Sequence, residues 1–216
     1  GTYGCGFEQP LEAMKRSLTR AENAYFLRPD ALLAVVILSD EDDCSVDPAI
    51  GPALFANQAC RDYFDVEACP LGALTSFRCF EHGIECDPDT PRTEGTKLGC
   101  RPRQDSPYMT DVDDYANFLL GRKGAHDRVF VSLIAGTYAS PVVAATTVRA
   151  GNQGDIETVR LEPSCTSAAG DAVPPIRLVN FAQQFINNGQ HSICDDALDN
   201  AMSVLGEDIA RRLGNL

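Results

Sequence analysis

Nine cysteines in a chain of 216 residues constrain the fold more than any other feature. They are Cys5, Cys44, Cys60, Cys69, Cys79, Cys86, Cys100, Cys165 and Cys194, and no two are spaced Cys-x-x-Cys. That spacing argues against a thioredoxin-type redox site and against a zinc ribbon. Cys79, His82 and Cys86 supply only three of the four ligands a structural zinc needs. Six of the nine fall in residues 44–108, a stretch rich in Pro, Gly, Asp and Arg. Such a segment has too little apolar surface to hold itself together by burial, and disulfides supply the missing constraint. The chain is therefore expected to be exported, to the outer-membrane surface, the periplasm or the extracellular space. Cys44, Cys60, Cys69, Cys79, Cys86 and Cys100 can pair among themselves, and Cys165 can pair with Cys194. Cys5 is then unpaired within the chain, which predicts a partner cysteine upstream of Gly1 or an intermolecular bond.

Charge narrows the partners. With 18 basic and 31 acidic residues the net charge is −13. That field repels phosphate, which argues against nucleic acid and anionic membrane surfaces. The longest apolar run, Ala31 to Leu38, is eight residues, where a membrane-spanning helix needs about twenty. Helices are expected over Phe7–Ala21, from Thr110 or Asp111 to Leu120, over Pro174–Asn188 and over Asp195–Leu213, from their apolar periodicity and their Pro and Gly punctuation. The runs 31–38 and 128–136 are apolar without alternation, as in strands of a parallel sheet buried on both faces. Ile156 to Leu161 alternates like an edge strand, residues 48–59 suit a helix and residues 74–80 an extended segment. This order predicts one α/β domain over 1–216, a three-layer α/β/α sandwich on a mostly parallel sheet. Residues 44–108 form its disulfide-rich insertion, and its first strand is expected upstream of Gly1.

In open parallel sheets ligands bind beyond the C-terminal ends of the strands. Ser39-Asp-Glu-Asp-Asp-Cys-Ser45 follows the strand expected to be central. Four consecutive carboxylates need water, basic partners or a hard cation such as Mg²⁺ or Ca²⁺. The competing explanation is a solvated acidic turn in which Asp42 or Asp43 caps a following helix.

Leu33-Ala-Val-Val-Ile-Leu-Ser-Asp40 resembles the strand ending in Ser/Thr-Asp of von Willebrand factor type A domains. Gly4-Cys-Gly-Phe-Glu-Gln-Pro-Leu-Glu-Ala13 is similar to the loop and helix that precede that strand. Together with Phe77-Arg-Cys-Phe80, Ile134-Ala-Gly136 and Ser192-Ile-Cys194, these stretches resemble cysteine-rich type A proteins and lipoproteins of myxobacteria. The resemblance implies a Rossmann-like fold and a non-catalytic adhesion module or subunit of a surface assembly. It further implies a Mg²⁺ or Ca²⁺ ion near Asp40 that a protein partner completes with an acidic side chain. Asp40 carries the resemblance best, Asp42 and Asp43 less well, and Thr2 or Glu8 would stand in for the family's metal-site threonine. The family's Asp-x-Ser-x-Ser motif does not occur in this chain, which fits an upstream fragment as a further partner. Two rivals remain: a metal-dependent hydrolase using Asp40 to Asp43, and a metal-free scaffold. The histidines, His82, His126 and His191, form no catalytic grouping with Ser or Cys in the sequence.

Overall fold

A computed structural model describes residues 6–56, 62–138, 141–149, 155–195 and 198–214. Helix α1, Pro10–Thr19, opens with proline in its first turn and buries Leu11 and Glu12. Strand β1, Leu33–Leu38, follows a short 3₁₀ turn over Ala21–Phe26. The cysteine-rich segment contributes a 3₁₀ turn at Gly51–Phe55, helix α2 at Phe77–Gly83, and strands β2 (Ile84–Asp87) and β3 (Gly95–Pro102). Helix α3, Val112–Gly121, is capped by the Asp111 carboxylate on the Asp113 N–H. After it come strands β4 (Val129–Ala135), β5 (Val142–Arg149) and β6 (Ile156–Leu161). The short pair β7 (Cys165–Ser167) and β8 (Gly170–Ala172) leads into α4 (Ile176–Gln183), β9 (Asn188–Ser192) and α5 (Leu198–Leu213).

The sheets correct the expected architecture. Only three strands are parallel, in the order β1-β4-β9, while β2-β3-β5-β6 form a separate antiparallel sheet and β7-β8 a third. The chain is thus a mixed α/β fold and not a three-layer sandwich on a mostly parallel sheet. What the sequence expectation missed is pairing: β3 joins β5 in register Gly95↔Ala144 to Lys97↔Val142, tying the cysteine-rich segment to a later hairpin. Pairing of that kind depends on turns and partners far apart in the chain, which a local pattern does not report.

Strand β4 is the central one, buried along its whole length and paired on both sides. Strand β1 was expected there, yet it pairs only with β4 among the described residues, and Val36 and Leu38 are 43% and 60% exposed. Residues 74–80 were expected to be extended but enter α2, because Phe77 and Phe80, three apart, meet at 5.4 Å in one core. The predicted helix to Asn188 ends at Gln183, and Gly189 lies inside β9 opposite Ser132, where β4 offers backbone pairing.

Two main cores result. Leu11, Leu33, Ile37, Val112, Tyr115, Val131, Leu133 and Phe181 pack α1, α3 and α4 on one face of the parallel sheet. On the other face Arg212 of α5 lies over the Phe130 ring at 4.8 Å. The second core joins Phe77, Phe80 and Ile84 to Val142, Ala144 and Val159 of the antiparallel sheet. Arg78, 1% exposed, gathers the loops of the cysteine-rich segment by donating to the carbonyls of Leu54, Ala56, Gly72 and Ala73.

Three disulfides brace this frame: Cys44–Cys79, Cys86–Cys100 and Cys165–Cys194. Cys69 is also disulfide-bonded, whereas Cys5 and Cys60 lie outside the described residues. These bonds belong to an oxidising, exported environment. No helix among the described residues is long and apolar enough to cross a membrane.

Candidate functional site

The acidic run leaves β1 where the backbone of β4 and the segment before α4 converge. Ser39 N–H donates to the Ile134 carbonyl, and Val173 N–H donates to the Asp40 carbonyl at 3.0 Å. Gly136 permits this crossing, since a Cβ there would stand 2.3 Å from the Val173 carbonyl oxygen. The four carboxylates then separate into two kinds.

Asp42 and Asp43 are structural. Asp42 accepts the N–H groups of Arg177 at 2.9 Å and Leu178 at 3.2 Å, which caps the first turn of α4. The residue at the cap position itself, Pro175, makes no side-chain cap. Burial pushes the Asp42 carboxyl up to about 6, and the same N–H groups pull it down. Asp43, 0% exposed, pairs with the buried Arg177 guanidinium at 3.1 Å and accepts the Leu11 N–H at 3.2 Å. Ser45 Oγ takes the next α1 amide, Glu12 N–H, at 2.9 Å. The run therefore caps α1 and α4, helices far from it in sequence. The oxygens of Asp42 and Asp43, the weaker of the expected metal ligands, thus face N–H donors and a guanidinium.

Asp40 and Glu41 are open. Asp40 is exposed, and neither carboxylate makes a hydrogen bond or ion pair with any described residue. Glu8 is exposed and close by, its Oε2 lying 2.8 Å from Ser39 Oγ, which also lies 2.8 Å from the Glu41 carbonyl. Burial, then the charges of Glu8 and Asp40, push the Glu41 carboxyl up from its ordinary 4.5 to about 7. The acidic end of β1 thus holds three carboxylates in mutual repulsion. Among the described residues no three Cys, His, Asp or Glu side chains are grouped so as to hold a metal ion. Thr2, the other expected ligand, lies outside the described residues.

The chain matches no family model, no curated protein and no solved structure. Glu41 was not singled out in the sequence, because nothing in an Asp/Glu run shows which member turns away from the helix caps. Arg177 was missed for a related reason. A basic residue between Ile176 and Leu178 at a helix start gives only a weak signal of burial. His82 is half-buried in α2, and burial together with the nearby Arg92 charge lowers it to about 4, so it is neutral at ordinary pH.

The raised Glu41 value has a consequence for stability. Its folded pKa lies above its unfolded one, so the native chain holds more protons between pH 4.5 and about 7, and stability falls as pH rises through that window. Asp42 acts in the same sense between 3.8 and about 6. Glu41→Gln is expected to flatten the upper part of this slope, as read from urea midpoints at a series of pH values. A slope unchanged by the substitution would show that Glu41 is solvated.

Proposed function

We propose that this chain is an exported, non-catalytic binding module that recognises a protein partner at the acidic end of β1, in adhesion or in assembly at a cell surface. One observation carries this: the Asp40 and Glu41 carboxylates have no basic partner among the described residues, while Asp42 and Asp43 beside them are fully used. A protein that had only to fold would pair or disperse such charges, because mutual repulsion is relieved by counter-charge. The resemblance to type A domains supports the same end of β1. The partner brings the positive charge, either as a basic side chain or as a Mg²⁺ or Ca²⁺ ion shared with its own carboxylate.

Calorimetric titration with CaCl₂, MgCl₂ and a lysine-rich peptide tests this. Saturable binding of at least one probe is expected, weakened about tenfold or more in Asp40→Ala. The fold should persist in that variant, because Asp40 is exposed and contributes only its backbone carbonyl. If no probe binds, or if binding ignores Asp40→Ala, the acidic end is not a recognition site.

A further inference from the structure

We propose that the cleft between α2 and the β5–β6 hairpin binds a small amine carrying an aromatic or branched apolar body. The cleft is half open, has a volume of about 440 Å³ and counts Glu41 among its lining residues, a volume in the range of small-molecule sites. Its lining is mixed, with Phe77, Phe80, Val159 and Leu161 supplying apolar surface beside the hydroxyls of Thr75, Ser76 and Thr147. Phe77, Phe80 and Val159 are 5%, 6% and 1% exposed, so the second core fixes the base of the cleft, while the exposed Val148 side chain adds apolar surface to it. Thr147 and the buried Thr158 also line the cleft, with short hydroxyl side chains able to hydrogen-bond a polar group.

Charge selects the ligand. The acidic wall consists of Glu41 and Asp42. Asp42 is saturated by backbone N–H groups, whereas the Glu41 carboxylate has no partner among the described residues. Arg160, also at the cleft, is exposed and paired with Glu162 at 3.1 Å, so it is not the counter-charge for Glu41. An ammonium placed at Glu41 would meet an unpaired carboxylate at the edge of an apolar volume, where charge-assisted hydrogen bonds are strongest. A carboxylate ligand of the same shape would be repelled by Glu41, and Arg160, the basic side chain in the lining, already has Glu162 as its partner. This site shares Glu41 with the binding face proposed above, but it also needs the cleft walls, which that face does not use, so a substitution in the walls tests it separately.

The chain has no tryptophan, so with excitation at about 295 nm the emission shift and anisotropy of an indole probe report binding without interference from protein indole. Tryptamine, tryptophol and indole-3-propionate share a body and differ in charge: cationic, neutral and anionic. At pH 8 in EDTA, tryptamine is expected to bind saturably, about tenfold tighter than tryptophol, and indole-3-propionate weakest. Glu41→Gln is expected to bring tryptamine to the level of tryptophol while leaving tryptophol unchanged. Thr147→Phe, at the half-buried rim, blocks amine and alcohol alike. The proposal is overturned if tryptamine does not saturate, if it gains nothing over tryptophol, if Glu41→Gln retains the preference, or if Thr147→Phe leaves binding intact.

Discussion

Asp43→Ala is expected to destabilise the folded chain by about 3–5 kcal/mol, lowering its melting temperature by roughly 6–20 °C. The loss is large because the substitution acts at several contacts at once. Asp43 and Arg177 are both 0% exposed, and the guanidinium without its partner is a buried, uncompensated charge. Removing the carboxylate also strips the Leu11 N–H of its acceptor and takes two bonds from Ser45. Arg177 further reaches the Thr110 carbonyl at 2.8 Å, so the same group holds the start of α3 against α4. The pair thus joins α1, the acidic loop, α3 and α4. The double variant Asp43→Ala/Arg177→Met should recover part of the loss, since no charge then stays buried. A single-variant loss below about 1 kcal/mol would mean that water reaches the pair. Chemical denaturation of the two single variants and the double variant decides.

Removing the Cys44–Cys79 bridge as a pair of alanines is the other large effect, roughly 4 kcal/mol from loop closure over its 35-residue separation. The 14-residue Cys86–Cys100 bridge should cost less, roughly 3 kcal/mol. Position strengthens the contrast. Cys44 lies next to Asp43, and Cys79 lies in α2, so this bond fastens the cysteine-rich segment to the loop that caps α1 and α4. Cys86 and Cys100 only cross-link the neighbouring strands β2 and β3. Denaturant midpoints of the two alanine pairs, measured without reductant, should rank in that order. Equal midpoints would show that the Arg78 hydrogen bonds, and not the bridge, hold the segment in place.

Much of the local structure was legible. Asp111 as a helix cap, α1 with proline in its first turn, and the wholly buried run that became β4 all follow from patterns that act within a few residues. Cys165 and Cys194, paired by counting, are bonded. The errors share a cause. β1 has the apolar composition of a central strand, but composition does not say how many neighbours a strand has, and β4 has more. The strands β2, β3 and β5 escaped notice because their stability comes from cross-strand partners and not from their own alternation. At the site, the idea that an acidic run caps a helix was correct in kind but misplaced in the chain. It anticipated a helix just downstream, whereas the helices capped begin at Pro10 and Ile176.

Composition and local pattern by themselves pointed to an exported, cross-linked, strongly acidic chain in which one apolar strand runs into carboxylates. They did so because cysteine oxidation, net charge and backbone propensity are properties of residues or of short windows. Only the tertiary structure decided which carboxylates are free. Asp40, Glu41, Asp42 and Asp43 are chemically near-identical neighbours. What separates them is whether a helix N-terminus or the Arg177 guanidinium, more than 130 residues away, arrives within about 3 Å.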